Sequence, residues 1–164
     1  MKKFNVSWGF SVKLITLIIS PLLFFVVIKC LDIFINQNEH LTLYIAIFII
    51  VTFVLCLVNA PISITINEQG ILLTKIIGKI YIPYTNIADI QKCDATLNSL
   101  RLFGSGGLFG FIGIFYNRKV GRYTAFIGNH KQSFMIITKK NKKYVFSCEQ
   151  RDKVIEIVNT HKEI

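Results

Sequence analysis

The chain has 164 residues, 52% of them hydrophobic, with a formal net charge of +10 and a mean hydropathy of +0.53. That is too apolar for an ordinary water-soluble domain of this size. The apolar residues crowd into the first third, which predicts membrane segments followed by one small domain.

Residues 14–28, LITLIISPLLFFVVI, carry no charge. Widening the segment to residues 10–35 adds only Lys13, Lys29 and Asp32. The two lysines can snorkel to opposite interfaces, and a membrane helix tolerates Pro21. A cleaved signal peptide would share the basic start at Lys2 and Lys3. However, no A-x-A cleavage site follows, and Lys29 stands before Cys30 where a lipoprotein signal needs a small residue. The expectation is a retained span over about residues 12–31. Residues 41–58, LTLYIAIFIIVTFVLCLV, are free of charge and long enough to cross, because roughly 20 residues at 1.5 Å each traverse the hydrocarbon. The connection over residues 32–40 is short, so residues 1–59 read as a helical hairpin anchor.

Beyond residue 59 stand 15 Lys and Arg against 7 Asp and Glu, a difference of +8. Basic residues flanking spans favour the cytoplasm. Lys2, Lys3 and Lys13 precede the hairpin, so both termini are expected on the cytoplasmic side of the inner membrane; Lys29 alone opposes this. A basic domain tethered there would feel the anionic inner leaflet. Nucleic acid would be the other partner of such charge, but the basic residues are not interleaved with any recognition motif. Cys30, Cys56, Cys93 and Cys148 are dispersed without a C-x-x-C, so no disulfide is expected in a reducing compartment.

The period changes at Pro61. ISITI alternates as a half-buried strand, Asn67-Glu68-Gln69-Gly70 is a turn, and ILLTKII extends until Gly78 breaks it. KIYIPY is a further strand. TNIADIQKC is either one helical turn or a strand entry. Residues 123–127, 133–138 and 143–147 are strand candidates, the last two flanking the basic tip KKNKK around Asn141. Ser147 and Gln150 have capping-box spacing. They introduce an apolar stripe, Val154, Ile155, Ile157 and Val158, at helical period. Several antiparallel strands followed by one helix predict a bent sheet or small barrel, its open end plugged by that helix.

Three pieces make the prediction specific: ITINEQGILL, IYIPYTNIADI, and LRLFGSGGLFGFIGIFYNRKVGRYTAFI followed by MIITKKNKKYVFSC. Most of residues 60–160, within a cytoplasmic domain expected over residues 60–164, resembles the bacterial PH-domain proteins that carry two membrane helices before the domain. The resemblance implies an α+β fold: a transmembrane helical hairpin, then a PH-like antiparallel β-barrel or sandwich with a C-terminal capping helix. It also implies no enzymatic activity.

Nothing in the sequence argues for catalysis, a cofactor or a metal. His40, His130 and His161 are isolated from one another and from other ligands, and no H-E-x-x-H, C-x-x-C or G-x-S-x-G occurs. Asp89 and Asp94 read as turn or surface residues. In RLFGSGGLFGFIGIFYNRKVGRY, residues 101–123, Gly110 is followed by Phe111 rather than Lys, which fails a phosphate loop. The glycine spacing also carries one residue too many for a dinucleotide fingerprint. The first hairpin loop is acidic, so phosphoinositide binding is not carried over from the fold.

Two readings of this stretch stay open. It forms a loop or bent hairpin on the membrane side, with Phe109 and Phe111 in the interface or against the helices and Arg101, Arg118, Lys119 and Arg122 on lipid phosphates. Alternatively its aromatics fill the core and its glycines permit bulges. Lys139, Lys140, Lys142 and Lys143 form a second basic cluster, either a solvated tip or a lipid or partner contact. Two functions compete: a non-enzymatic platform at the cytoplasmic membrane face for a protein partner, and a binder of anionic lipid headgroups. No small-xxx-small pattern supports self-association of the helices.

Overall fold

The computed structural model describes residues 1–93 and 99–162; Asp94 lies outside them. A short strand opens the chain, β1 (Lys2–Asn5). Two helices follow, α1 (Phe10–Gln37) and α2 (His40–Val58). Next come β2 (Pro61–Ile66), β3 (Gly70–Lys75), β4 (Lys79–Pro83) and β5 (Ile87–Lys92). The glycine-rich region forms β6 (Leu100–Gly106) and β7 (Phe111–Asn117), succeeded by β8 (Gly121–Ile127), β9 (Ser133–Thr138) and β10 (Lys143–Ser147). The chain closes with α3 (Arg151–Lys162). TNIADI holds both expected alternatives in series: one 3-10 turn at Tyr84–Asn86, then β5.

The strands form a sandwich of two sheets, not a closed barrel. One sheet has the order β1-β2-β3-β4 and the other β5-β9-β10-β8-β7-β6. Neighbours pair antiparallel except β8 with β10, which run parallel. The sheets face each other across Ile64, Ile71, Leu73, Phe134, Ile136 and Phe146, all fully buried. Each such side chain contributes on the order of 1.5–3 kcal/mol by leaving water. Val154 and Val158 of α3 enter the same core, so the helix covers one open end of the sandwich. Gln150 accepts the Val154 N–H, but Ser147 is not the helix cap. It ends β10, and its hydroxyl oxygen accepts the N–H of Gly128 at 2.8 Å. A tertiary bond outcompetes the local capping box.

The anchor differs from the sequence expectation at both ends. α1 is longer than residues 12–31 and is continuous through Pro21. Only Asn38, in the left-handed region at φ 57°, and Glu39 separate it from α2. Both helices are long and apolar enough to cross a membrane, and nearly all of their apolar residues stay out of the buried core. Leu17, Phe24, Ile35 and Phe48 are at least 69% exposed. A core helix of a soluble protein would hide such residues; this apolar surface is far larger than soluble monomers tolerate and suggests membrane association. The first five residues do more than flank the span. β1 pairs with β2 from Lys2↔Ile66 to Asn5↔Ser63, and Phe4 is buried in the sandwich core.

Candidate functional site

Three segments bind the sandwich to the helices. Before α1, the Val6 N–H donates to Ile62 O (2.8 Å) and the Gly9 N–H to Gly128 O (2.9 Å). After α2, the β3–β4 turn satisfies the helix end: Ile77 N–H donates to Val58 O (2.9 Å) and Ile76 N–H to Ala60 O (3.1 Å). Val58 O is one of the carbonyls a helix C-terminus leaves without a partner, and Ala60 lies just beyond the helix. Lys75 Nζ adds a 2.8 Å bond to Asn59 Oδ1. The side chains of Ile76 and Ile77 remain exposed beside the helix end. Two isoleucines just before a turn glycine are the sequence signal for this contact, and reading ILLTKII simply as a strand passes over it.

The third attachment is the tip of the β6–β7 hairpin, residues 107–110. Thr16 in α1 clamps it: the hydroxyl oxygen accepts the Phe109 N–H at 3.0 Å, and the hydroxyl donates to Gly107 O at 3.4 Å. Ser105 donates to Leu108 O at 2.8 Å. Phe109 is 8% exposed. Its ring lies 5.1 Å from Phe53 of α2, edge-on, and 6.1 Å from Trp8. The side chain therefore seals the junction between the helices and the sandwich core. It is neither a lipid-facing residue nor a residue of the sheet interior alone. The backbone at Phe109 takes φ 59°, costly for a side-chain-bearing residue. The burial of the ring and the Thr16 clamp hold it there.

The glycines are required by close approach. A Cβ on Gly104 would stand 2.1 Å from Ile112 O, and one on Gly113 2.2 Å from Phe103 O. These two residues pair directly across the hairpin, beside a register shift between Arg101 and Phe103. A Cβ on Gly107 would meet the Ile15 side chain at 2.5 Å, so this glycine lets the tip lie against α1.

Phe111 lies at the same helix-side end, and Arg101, whose backbone pairs with Phe115, reaches towards it with its side chain over Gly106. Phe111 is half-buried, its ring 4.1 Å from that of His130. Arg101 and Phe111 line a cleft with Ser11, Gly106 and His130. Burial pushes the His130 imidazole below its ordinary pKa. The remaining predicted cations lie elsewhere. β7 carries the chain away from the tip for six residue steps, ~20 Å at the rise of a strand, before the turn that holds Arg118 and Lys119. Arg122 opens β8, opposite Tyr116. The β9–β10 tip with Lys139, Lys140 and Lys142 lies at that same far end, since β10 runs parallel to β8. Lys143 joins the two turns through a 2.6 Å bond from its Nζ to Val120 O.

The structure thus separates the predicted residues into two groups. Arg101, Phe109 and Phe111 are beside the helices, and the other seven form a distal basic end. Among the described residues none of those seven is in an ion pair. From residue 95 to residue 148 the sequence has nine Lys and Arg and no Asp or Glu. Among the described residues no group of three or more His, Cys, Asp or Glu side chains is placed to hold a metal ion. A family model described as bacterial PH domain matches residues 62–162. Neither curated proteins nor solved structures gave a match.

Proposed function

The chain belongs to the bacterial PH-domain family, and from that premise we propose that it is a non-enzymatic, membrane-anchored platform. Its distal basic end docks an acidic protein surface at the cytoplasmic face. One observation carries this reading: seven cations, none in an ion pair among the described residues, are gathered a full strand length from the hairpin tip that meets the helices. Like charges repel and cost stability, which an acidic partner would offset. The three attachments to the helices support a fixed presentation of that end. Charged surfaces of this kind speed and select encounters more than they tighten them.

The orientation is part of the proposal. Because β1 pairs with β2, the segments before and after the helices share one side of the membrane. Lys2, Lys3 and the basic domain then assign that side to the cytoplasm. A reporter fused to each terminus tests it, and an external C-terminus would overturn it.

The docking test uses the full chain in nanodiscs of zwitterionic lipid, incubated with cytosol at low and high salt. Proteins retained by the wild type at low salt should be released by salt and absent from a K139E/K140E/K142E variant. Recovery of the same proteins by that variant would refute the platform reading, and salt-sensitive recovery of nucleic acid alone would replace it.

A further inference from the structure

The cleft at the membrane-side end has features of a ligand site distinct from the distal basic end. It encloses about 470 Å³ between the first turn of α1 and the β6–β7 hairpin, within the size range of small-molecule pockets. Ser11 stands on one wall, Phe111 and Phe115 on another, and Arg101 and His130 supply the cationic and titratable groups; among the described residues no carboxylate lines it. Gly106 shapes the floor. A Cβ there would stand 2.8 Å from Arg101 Nη1, so the absence of a side chain at Gly106 lets the exposed Arg101 side chain pass over it. The Nδ1 atom of His130 is buried with no hydrogen-bond partner among the described residues. That atom is closed to the cleft, so Nε2 is the ring nitrogen left to meet a ligand. The His130 ring lies against Phe111, centroid to centroid 4.1 Å.

We propose that this cleft binds the phosphodiester of an anionic phospholipid headgroup, one that carries no amine of its own. Arg101 offers the planar fork that matches phosphate oxygens. Ser11 and His130 supply the other polar contacts. Phe111 and Phe115 receive the carbon atoms next to the phosphate. The source of the phosphate follows from placement. Ser11 belongs to the first turn of a helix that continues into the apolar span, and Thr16, one turn further on, holds the hairpin tip. The cleft therefore opens at the level where headgroups lie. An uncompensated positive lining favours a headgroup with net negative charge over a zwitterion. The first hairpin loop, Asn67 to Gly70, takes no part.

The full chain in nonionic detergent would be titrated with dihexanoyl-phosphatidylglycerol, dihexanoyl-phosphatidylcholine and inorganic phosphate in parallel, with binding followed by calorimetry. Wild type should bind phosphatidylglycerol at least about tenfold more tightly than the other two, because the positive lining disfavours the choline cation and inorganic phosphate lacks the carbon atoms that Phe111 and Phe115 receive. Arg101→Gln and Gly106→Leu should each reduce that affinity by about tenfold or more, while Arg118→Gln at the distal end should leave it unchanged. Unaltered Trp8 emission would show that the variants are folded. Equal binding of all three probes by wild type would overturn the proposal, as would an equal loss in Arg118→Gln. Inorganic phosphate binding as tightly as phosphatidylglycerol would overturn the lipid assignment.

Discussion

Phe109 offers the most discriminating test of the junction, because it combines a buried ring with a strained backbone. Replacing it with alanine removes a side chain that is only 8% exposed and contacts both Phe53 and Trp8. Large-to-small changes of this kind cost about 3–5 kcal/mol. Alanine keeps the left-handed strain at φ 59°, on the order of 1–2 kcal/mol, whereas glycine relieves it. Both variants should therefore be destabilised, but Phe109→Gly less than Phe109→Ala, by about 1 kcal/mol. That reverses the usual order in regular structure. The chain has a single tryptophan, and it lies 6.1 Å from the Phe109 ring. Its emission reports on this junction directly. In detergent-solubilised protein, denaturant midpoints followed by Trp8 should fall in the order wild type, Phe109→Gly, Phe109→Ala, with a red shift in both variants before unfolding. An unchanged midpoint and emission in Phe109→Ala would refute the packing of this ring between the helices and the sandwich.

Gly113→Ala should lower thermal stability by more than Gly121→Ala. Both sites have positive φ, costing on the order of 1–3 kcal/mol, but only at Gly113 would the new Cβ strike backbone, 2.2 Å from Phe103 O, while at Gly121 it meets open space beyond a lysine amine 3.9 Å away. Equal losses in a thermal melt would count against the close hairpin crossing. Stability should also decrease as pH falls through 6.5, the ordinary histidine value. The buried His130 resists the proton that the unfolded chain accepts, with Arg101 as the charged group sharing its cleft; His130→Gln should flatten that dependence, and a dependence unchanged by the substitution would be the contrary result. Burial pushes the Cys148 thiol up to about 11, and its side chain is 0% exposed. Iodoacetamide at mildly alkaline pH should leave it unlabelled by mass spectrometry until denaturant is added, and labelling of the folded chain would contradict its burial.

Much of the architecture was legible because its signals are local. An uncharged apolar run such as residues 41–58 announces one long helix, and the alternation of ISITI fixes a face of β2 before any partner is known. Features set by distant contacts were not. β1 is four residues long with two lysines at its start, and it reads as a charged flank until β2 is available to pair with it. Ser147 satisfies a local capping pattern, but Gly128, 19 positions back, takes its hydroxyl. The cations after the glycine-rich stretch illustrate the same limit. Extended backbone converts neighbours in sequence into opposite ends of a strand, so Arg118 parts from Phe109 by most of the sandwich. The direction of Phe109 depends on a left-handed residue at the hairpin tip, which a phenylalanine does not announce. Its setting depends on Trp8, Thr16 and Phe53, which come from the segment before α1 and from both helices.

The position of β1 also changes what the membrane anchor is. In the sequence the two helices look like a tether joined to the front of a domain. In the fold they occupy the connection between β1 and β2, two strands paired antiparallel within one sheet, where an ordinary hairpin would have a few turn residues. The near ends of α1 and α2 are therefore held together by two paired strands and not by a flexible linker. The β3–β4 turn closes the end of α2 and the β6–β7 tip closes against α1, so both sheets brace the helices. A domain attached by linkers would sample many orientations and present any of its surfaces. One built around its own anchor presents a single end to the bilayer and the opposite end away from it. The division of labour proposed here follows: a headgroup cleft where the sandwich meets the helices, and a basic docking end where it is furthest from them.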